Sequence, residues 1–207
     1  MRLRNPILMI VADPTSEAVR RAALAAEGGA NAVQLRCPPE PTADQIAAFR
    51  LLKQICPTQT LLAINAHPSI IQELQPECVH LPEQGMGVAA VRALVAGRRI
   101  LVGRSVHSVE KAKSAQDEGA DYIVAGTIFA SSSHPEIAPA GLNFLGRVCR
   151  AVRIPVIAIG GITPQNAPAC IGVGAAGVAV RSGVLYARDP CGAARGYRTV
   201  LDGGPND

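Results

Sequence analysis

One pattern is repeated along the chain: a short apolar run, a polar or glycine-containing turn, and then an amphipathic, alanine-rich stretch. Eight such units follow one another, and apolar runs such as VIAIG and GVAV are too continuous for strands with one solvent-exposed face. Strands buried on both faces are typical of a parallel sheet covered by helices, so the repeat predicts an α/β fold. The predicted strands cover residues 7–13, 32–36, 61–65, 78–81, 100–105, 122–129, 156–160 and 177–181. The predicted helices cover residues 16–27, 42–54, 68–74, 88–96, 108–118, 142–152, 164–173 and 191–201, with Thr42, Ser108 and Thr163 as caps.

Alternating units of this kind leave two architectures, an open doubly wound sheet and a closed (β/α)8 barrel. The GxGxxG fingerprint of a dinucleotide fold does not follow the first strand, where the sequence reads VADPTSEA. We therefore expect a compact (β/α)8 TIM barrel, with residues 1–207 forming a single domain and residues 202–207 frayed. Aromatic residues make up only 3% of the chain and Trp is absent, so alanine, valine, isoleucine and leucine are expected to fill the core.

Composition and charge exclude several classes of function. The net charge of +4 is spread along the chain without a basic block, so nucleic acid is not an expected partner. No signal peptide and no membrane-length apolar run is found, and the protein is expected to be cytoplasmic. The six cysteines, at positions 37, 56, 78, 149, 170 and 191, are scattered, so we expect reduced, mostly buried thiols and no metal cluster. A homodimer is possible, since small barrels with apolar helical faces often pair.

The ends of the seventh and eighth strands predict a phosphate site. The seventh strand ends in two glycines within PVIAIGGITPQN, residues 155–166, and the eighth is followed by VRSGV, residues 180–184. Exposed backbone N–H groups and a hydroxyl at these two ends of a barrel commonly hold phosphate. The alternative is a tight strand-to-helix turn without a ligand. The predicted phosphate-binding residues are Gly160, Gly161, Ile162, Arg181 and Ser182.

Polar residues also stand at or just beyond the ends of the second to sixth strands, where a barrel places its active site. An arginine there can pair with a phosphate or carboxylate, and His107 can act as an acid or base near neutral pH. The alternative for His80 and His107 is a structural role. The segment ASSSHPEIAPA, residues 130–140, is expected to be a mobile active-site loop. The predicted substrate-binding residues from these ends are Gln34, Arg36, Asn65, His80, Ser105, Ser131 and Ser133.

Seven segments match, in order, those of a known family: VQLR, AIN, VHL, GRSVHS, GADYIVAGTIF, IPVIAIGGITPQN and GAAGVAVRSGV. The chain resembles the thiamine phosphate synthase and TenI-type thiazole tautomerase family over residues 7–184, and GRSVHS leans toward the TenI branch. The resemblance implies a TIM barrel of thiamine biosynthesis that binds a thiazole carrying a phosphoethyl group. The implied phosphate site follows strands seven and eight.

The chain departs from the synthase pattern at four strand ends. Where the family has QLREK, this chain has QLRCP at residues 34–38, and where the family has Asn-Asp it has Asn-Ala at residues 65–66. HLGQED is replaced by HLPEQG at residues 80–85, and TxTK by SSSH at residues 131–134. Two magnesium-ligand carboxylates and two lysines are thereby lost. Since the synthase joins thiazole phosphate to a pyrimidine methyl pyrophosphate with the help of magnesium, these losses disfavour synthase activity.

The expected activity is therefore a metal-free thiazole tautomerase that acts on carboxythiazole ethyl phosphate, without a cofactor. The TenI-type catalytic histidine is replaced by Thr127, which is expected to contact the substrate instead. His134 or His107 is predicted to take the catalytic role. Two alternatives remain: a non-catalytic or regulatory phosphate binder, and a thiamine phosphate synthase, for which magnesium would be needed.

Overall fold

The computed structural model describes residues 6–36, 43–65, 68–131, 136 and 138–203. Eight parallel strands form a closed barrel in the order β1 to β8, and β8 returns to β1 with Ile7 beside Gly177. The TIM-barrel prediction is confirmed. The strands are β1 Ile7–Ala12, β2 Ala32–Leu35, β3 Leu61–Asn65, β4 Cys78–Leu81, β5 Leu101–Val106, β6 Tyr122–Gly126, β7 Val156–Ile159 and β8 Gly177–Val180. The helices are α1 Ser16–Glu27, α2 Ala43–Ile55, α3 Pro68–Leu74, α4 Val88–Leu94, α5 Val109–Asp117, α6 Gly141–Ala151, α7 Ala167–Gly172, α8 Ser182–Leu185 and α9 Pro190–Leu201.

Both faces of the strands are buried, as the continuous apolar runs predict. Alternate residues of β1 belong to two separate clusters, because successive side chains of a strand point to opposite faces. Ile7, Met9 and Val11 pack inside the barrel, while Leu8 and Ile10 pack between the barrel and its helices. The outer cluster contains most of the buried residues, so most of the hydrophobic stabilisation arises where the helices pack against the strands.

One large aromatic side chain is accommodated in the barrel interior. Tyr122 is fully buried, and it packs directly against the backbone of Gly103 on the neighbouring strand. A Cβ atom at position 103 would lie 2.1 Å from Cζ of Tyr122, far inside van der Waals contact. Glycine at position 103 therefore makes room for the tyrosine ring.

Side-chain caps are present at the starts of three helices, and one of them was predicted. Ser108 accepts a hydrogen bond from the Lys111 N–H at 3.1 Å, which confirms its predicted capping role. Thr15 caps α1 through the Ala18 N–H, and Asp189 caps α9 through the Gly192 N–H. These side chains satisfy donors that the first turn of a helix leaves unpaired. The predicted cap Thr42 lies outside the described residues.

The segment after β7 differs from its prediction. Helix α7 begins at Ala167 rather than at residue 164, and Thr163 does not cap it. Instead the Thr163 N–H donates to Oδ1 of Asn166 at 2.8 Å, and Nδ2 of Asn166 donates to the Gly161 carbonyl oxygen at 2.9 Å. The asparagine side chain thus holds a separate turn between the double glycine and the helix.

Most other boundaries lie within two residues of their predicted positions, and two larger differences concern β6 and α8. Strand β6 ends at Gly126, three residues before its predicted end at residue 129, because the backbone of Ile128 and Phe129 turns to donate to the carbonyl oxygens of Ile159 and Gly160. The short helix α8 directly after β8 was not predicted. None of the helices in the described part of the chain is long and apolar enough to cross a membrane.

Candidate active site

A cavity of about 400 Å³ opens at the carboxyl ends of the strands. The active sites of TIM barrels lie at this end, and most of the residues predicted from the strand ends line the cavity. Uncharged polar groups, two arginines and one histidine alternate around its wall. The predicted residues in the lining are Gln34, Arg36, Asn65, Ser105, His107, Thr127, Ser131, Gly160, Gly161, Ile162, Arg181 and Ser182.

The loop after β7 requires both of its glycines. Gly160 has a φ of +99° and Gly161 a φ of +61°, a region that residues with a Cβ rarely adopt. A Cβ at Gly160 would lie 2.4 Å from Cγ2 of Thr127, and one at Gly161 would lie 2.2 Å from the carbonyl oxygen of Ala130. The glycines thus allow the loop after β6 to pass close to the loop after β7, whether or not a ligand is bound.

Beside this loop, the start of α8 presents backbone donors to the cavity. The first amides that bond within α8 are those of Val184 and Leu185, which both donate to the Arg181 carbonyl oxygen. The N–H groups of Ser182 and Gly183 precede them, and so have no partner within the helix. Both residues line the cavity next to Gly161. Amide donors together with the Ser182 hydroxyl make a wall suited to an anion.

His80 does not reach the cavity, contrary to its predicted role in binding the substrate. Its side chain is 1% exposed and lies beneath Ser105, with Nε2 at 2.9 Å from the Ser105 Oγ. On the other side, Nδ1 lies 3.2 Å from the hydroxyl of Tyr122, which in turn lies 3.5 Å from Sγ of Cys78. Ser105 lines the cavity, so the histidine acts on the site only by holding this serine.

The buried network around His80 is uncharged. Burial, together with the smaller effect of the nearby charge of Arg104, lowers the pKa of His80 from 6.5 to about 3. Burial likewise raises the pKa of Cys78 to about 12 and that of Tyr122 well above its ordinary value. At neutral pH the imidazole is therefore neutral, with one nitrogen donating and the other accepting.

His107 lies at the edge of the cavity and is held by Glu83. The carboxylate accepts a hydrogen bond from the backbone N–H of His107 at 2.8 Å and lies 3.1 Å from its Nδ1. Partial burial raises the pKa of Glu83, but the hydrogen bonds from His107 outweigh it and leave the pKa below its ordinary value. Glu83 therefore fixes the direction of the His107 ring while the other nitrogen stays available.

Two arginines of the lining share one carboxylate. Nη2 of Arg181 lies 2.5 Å from Oδ2 of Asp13, and Nη1 of Arg36 lies 3.6 Å from Oδ1 of the same residue. No role was predicted for Asp13, although a charged residue at the end of the first strand was a usable signal. Arg181 was predicted to bind phosphate beside Ser182; its side chain lines the cavity and pairs with Asp13. Its role in binding phosphate stays a prediction.

Uncharged polar residues also line the cavity. Nε2 of Gln34 donates to Oδ1 of Asn65 at 2.7 Å, which fixes both amides at the ends of β2 and β3. Thr127 and Ser131 add hydroxyl groups from the loop after β6. Such groups can orient an uncharged heterocycle by hydrogen bonds.

The donor set of the cavity does not fit a magnesium ion. Magnesium prefers carboxylate and other hard oxygen ligands. Within the described residues, the lining contains no carboxylate, and no group of three His, Cys, Asp or Glu residues could hold a metal. Two acidic residues that contact lining residues are already paired, Asp13 with the two arginines and Glu83 with His107.

Some predicted positions fall outside the described residues. They include the predicted catalytic His134 and the predicted substrate-binding Ser133. The substituted positions Cys37, Pro38 and Ala66 are also outside them. The roles assigned to His134 and Ser133 stay predictions.

Comparisons with known proteins identify the relatives of the chain. A family profile described as thiamine monophosphate synthase matches residues 8–184. The thiamine-phosphate synthase of Chlorobium luteolum is 36% identical over 96% of this chain and 94% of that protein. The thiamine-phosphate synthase of Coprothermobacter proteolyticus is 33% identical over 88% of this chain and 86% of that protein.

One solved structure is similar to the chain over almost its whole length. The thiamine phosphate pyrophosphorylase from Pyrococcus furiosus superimposes with a TM-score of 0.84 at 29% identity, and the match covers 98% of each chain. A 3-hexulose-6-phosphate synthase superimposes with a TM-score of 0.75 at 18% identity, which supports the fold alone.

These comparisons overturn the predicted tautomerase activity. The relatives, at 31–38% identity over most of the chain, are named thiamine-phosphate synthases, the activity that was disfavoured on the motif residues. The tautomerase prediction rested on the absence of particular carboxylates and lysines, and the names of the relatives contradict it. The expected closeness to the TenI branch is not confirmed.

Proposed function

We propose that this chain, which belongs to the thiamine monophosphate synthase family, is itself a thiamine-phosphate synthase. The reaction joins a thiazole phosphate to a pyrimidine methyl pyrophosphate and releases diphosphate. It therefore needs one site for a phosphate monoester and a second site for a diphosphate. A tautomerase needs only the first.

The observation that carries the proposal is that one cavity has two neighbouring walls suited to anions. The first wall is the loop after β7 with the start of α8, where Gly161, Ser182 and Gly183 offer backbone and hydroxyl donors. The second wall consists of the guanidinium groups of Arg36 and Arg181 at the ends of β2 and β8. Two anionic substrates can thus be bound close to each other in the same cavity.

The uncharged polar groups of the cavity support the same assignment. The paired amides of Gln34 and Asn65 and the hydroxyl of Ser105 line the same cavity and can hydrogen-bond the two rings. His80 keeps the Ser105 hydroxyl in place from below. Holding both rings in one orientation converts their encounter into a step within one complex, which is a large part of catalysis in such reactions.

The proposal is tested by incubating the purified chain with thiazole phosphate and pyrimidine methyl pyrophosphate, with magnesium in one series and EDTA in the other. We expect thiamine phosphate and diphosphate to form in equal amounts. Ser182→Ala should raise the KM for thiazole phosphate. Arg50→Gln, which changes an exposed ion pair on α2, is the control and should behave like the unchanged chain. The proposal would be refuted if thiamine phosphate formed in neither series, or if diphosphate were released without thiamine phosphate.

A further inference from the structure

We infer that Arg36 and Arg181, bridged by Asp13, form a diphosphate-binding subsite that works without a divalent metal. The inference rests on the proposed function for the identity of the ligand, the diphosphate group of the pyrimidine substrate. It assigns Arg181 to the leaving group rather than to the phosphate monoester.

The geometry leaves much of both guanidinium groups available. Asp13 places one oxygen toward each arginine, at 2.5 Å from Nη2 of Arg181 and 3.6 Å from Nη1 of Arg36. A guanidinium carries five N–H donors, and each arginine directs only one nitrogen to this carboxylate. Both side chains line the cavity, so the remaining donors can pair with the oxygens of one diphosphate.

Arg181 has an unused donor in the free protein. Its Nε is buried and makes no hydrogen bond within the described part of the chain. The guanidinium carbon lies 5.8 Å from the centre of the Tyr186 ring, which restrains the plane of the group from one side. A buried N–H without a partner is unfavourable, so the Arg181 guanidinium is not fully satisfied by its protein contacts in the ligand-free protein.

The charges favour an anion over a cation at this position. The two arginines and Asp13 together carry one net positive charge, and the described lining adds no carboxylate. A divalent cation would be repelled by the two guanidinium groups, whereas a diphosphate would be attracted. Guanidinium groups bind phosphates in a bidentate geometry, so they can supply the charge stabilisation for which a metal is otherwise used.

The chemistry at this subsite is the departure of the leaving group. The bond between the pyrimidine methylene carbon and the diphosphate oxygen breaks, and the electron pair stays on that oxygen. The thiazole nitrogen supplies the electron pair for the new carbon–nitrogen bond, so no oxidant or reductant is involved. Negative charge grows on the diphosphate during this step, and the preorganised guanidinium groups stabilise it there. Asp13 acts as a positioning residue, because it holds both arginines without contacting the reacting atoms.

The test is calorimetric titration of the full chain with inorganic pyrophosphate in the presence of EDTA. We expect the unchanged protein to bind, and Arg181→Gln and Arg36→Gln each to raise the Kd about ten- to hundredfold, the range for a hydrogen bond to a charged group. Arg181→Lys should give an intermediate Kd, because it keeps the charge and loses the fork.

The matched control is Arg92→Gln. Arg92 forms an ion pair with Asp121 at the same 2.5 Å and with similar exposure, but outside the cavity lining. This variant should keep the Kd of the unchanged protein, even if its Tm falls. Thermal melts of all variants show which are folded, and Arg181→Lys keeps the test valid if Arg181→Gln unfolds.

The outcomes separate this inference from the proposed function. An unchanged Kd in folded Arg181→Gln, or pyrophosphate binding that requires magnesium, would overturn the subsite even if thiamine phosphate is formed. Metal-free binding that is lost in Arg181→Gln would support the subsite even if no thiamine phosphate is formed, in which case only the proposed function fails.

Discussion

Protonation of His80 should couple the stability of the barrel to pH. The folded protein keeps His80 neutral, with a pKa of about 3 against an ordinary value of 6.5. Between these two values the unfolded chain binds a proton that the folded chain does not, so the free energy of unfolding rises with pH. Neutral His80 therefore leaves the free energy of unfolding at its full value above pH 6.5, and this free energy falls as the pH drops from 6.5 toward 3.

The size of this effect can be worked out for a window in which carboxylates hardly titrate. From pH 6.5 to pH 5.0, protonation of an ordinary histidine in the unfolded chain should lower the free energy of unfolding by about 1.6 kcal/mol. This figure depends on the pKa in the unfolded chain alone, because His80 stays neutral in the folded protein throughout the window. The size of the loss therefore does not depend on how far below 5 the pKa of His80 lies in the folded protein.

The assay is urea unfolding at pH 6.5 and at pH 5.0 for the unchanged protein and for His80→Gln. The remaining histidines are present in both proteins, so the difference between the two pH dependences isolates His80. The unchanged protein should lose about 1.6 kcal/mol more than the variant on going to the lower pH. An equal loss in both proteins would refute the assignment of a buried, neutral imidazole.

Two further predictions concern the barrel interior. Gly103→Ala should lower the free energy of unfolding by about 2–3 kcal/mol, since its Cβ would meet the buried Tyr122 ring, and a calorimetric Tm about 5–10 °C lower is expected. Adding Tyr122→Leu should recover part of this loss, whereas Tyr122→Phe, which keeps the ring, should not; equal effects of the two would contradict the contact. Cys78 should resist iodoacetamide at pH 8 in the folded protein, because it is fully buried and its pKa is raised to about 12. The half-buried Cys191 should be alkylated before Cys78, and peptide mass spectrometry would follow both sites. Rapid labelling of Cys78 without unfolding would show that the interior is accessible.

The fold was predictable from two repeated features of the sequence, the continuous apolar runs and their alternation with amphipathic stretches. Continuous apolar runs indicated strands buried on both faces, and eight such units without the dinucleotide fingerprint favoured a closed barrel. The same topology placed the ends of all strands at one edge, so residues as distant in sequence as Gln34 and Ser182 could be assigned to one cavity. These inferences need only the order of the elements.

What the sequence could not give is the direction of individual side chains. His80 and Ser105 both belong to predicted strand ends, yet one lies below the cavity and the other lines it. Thr163 is a residue type that often caps helices. In the structure the Asn166 side chain instead accepts from the Thr163 N–H and donates to the Gly161 carbonyl oxygen. Asp13 and Arg181 are 168 residues apart, and their contact exists only because β8 closes on β1.

The wrong prediction of activity has a related physical cause. Comparing motifs position by position tests whether a particular carboxylate or lysine is present, whereas a reaction requires charge at a place in space. In a closed barrel that place can be reached from several strands, and a guanidinium from β8 can stand where another protein uses a group from β2 or β3. Arg36 belongs to the part of the strand-two motif that this chain keeps, and Asp13 joins it to Arg181 from the far end of the sequence. The loss of the motif residues and the synthase names of the relatives are then compatible, because the positive charge needed by a diphosphate is supplied from a different side of the same cavity.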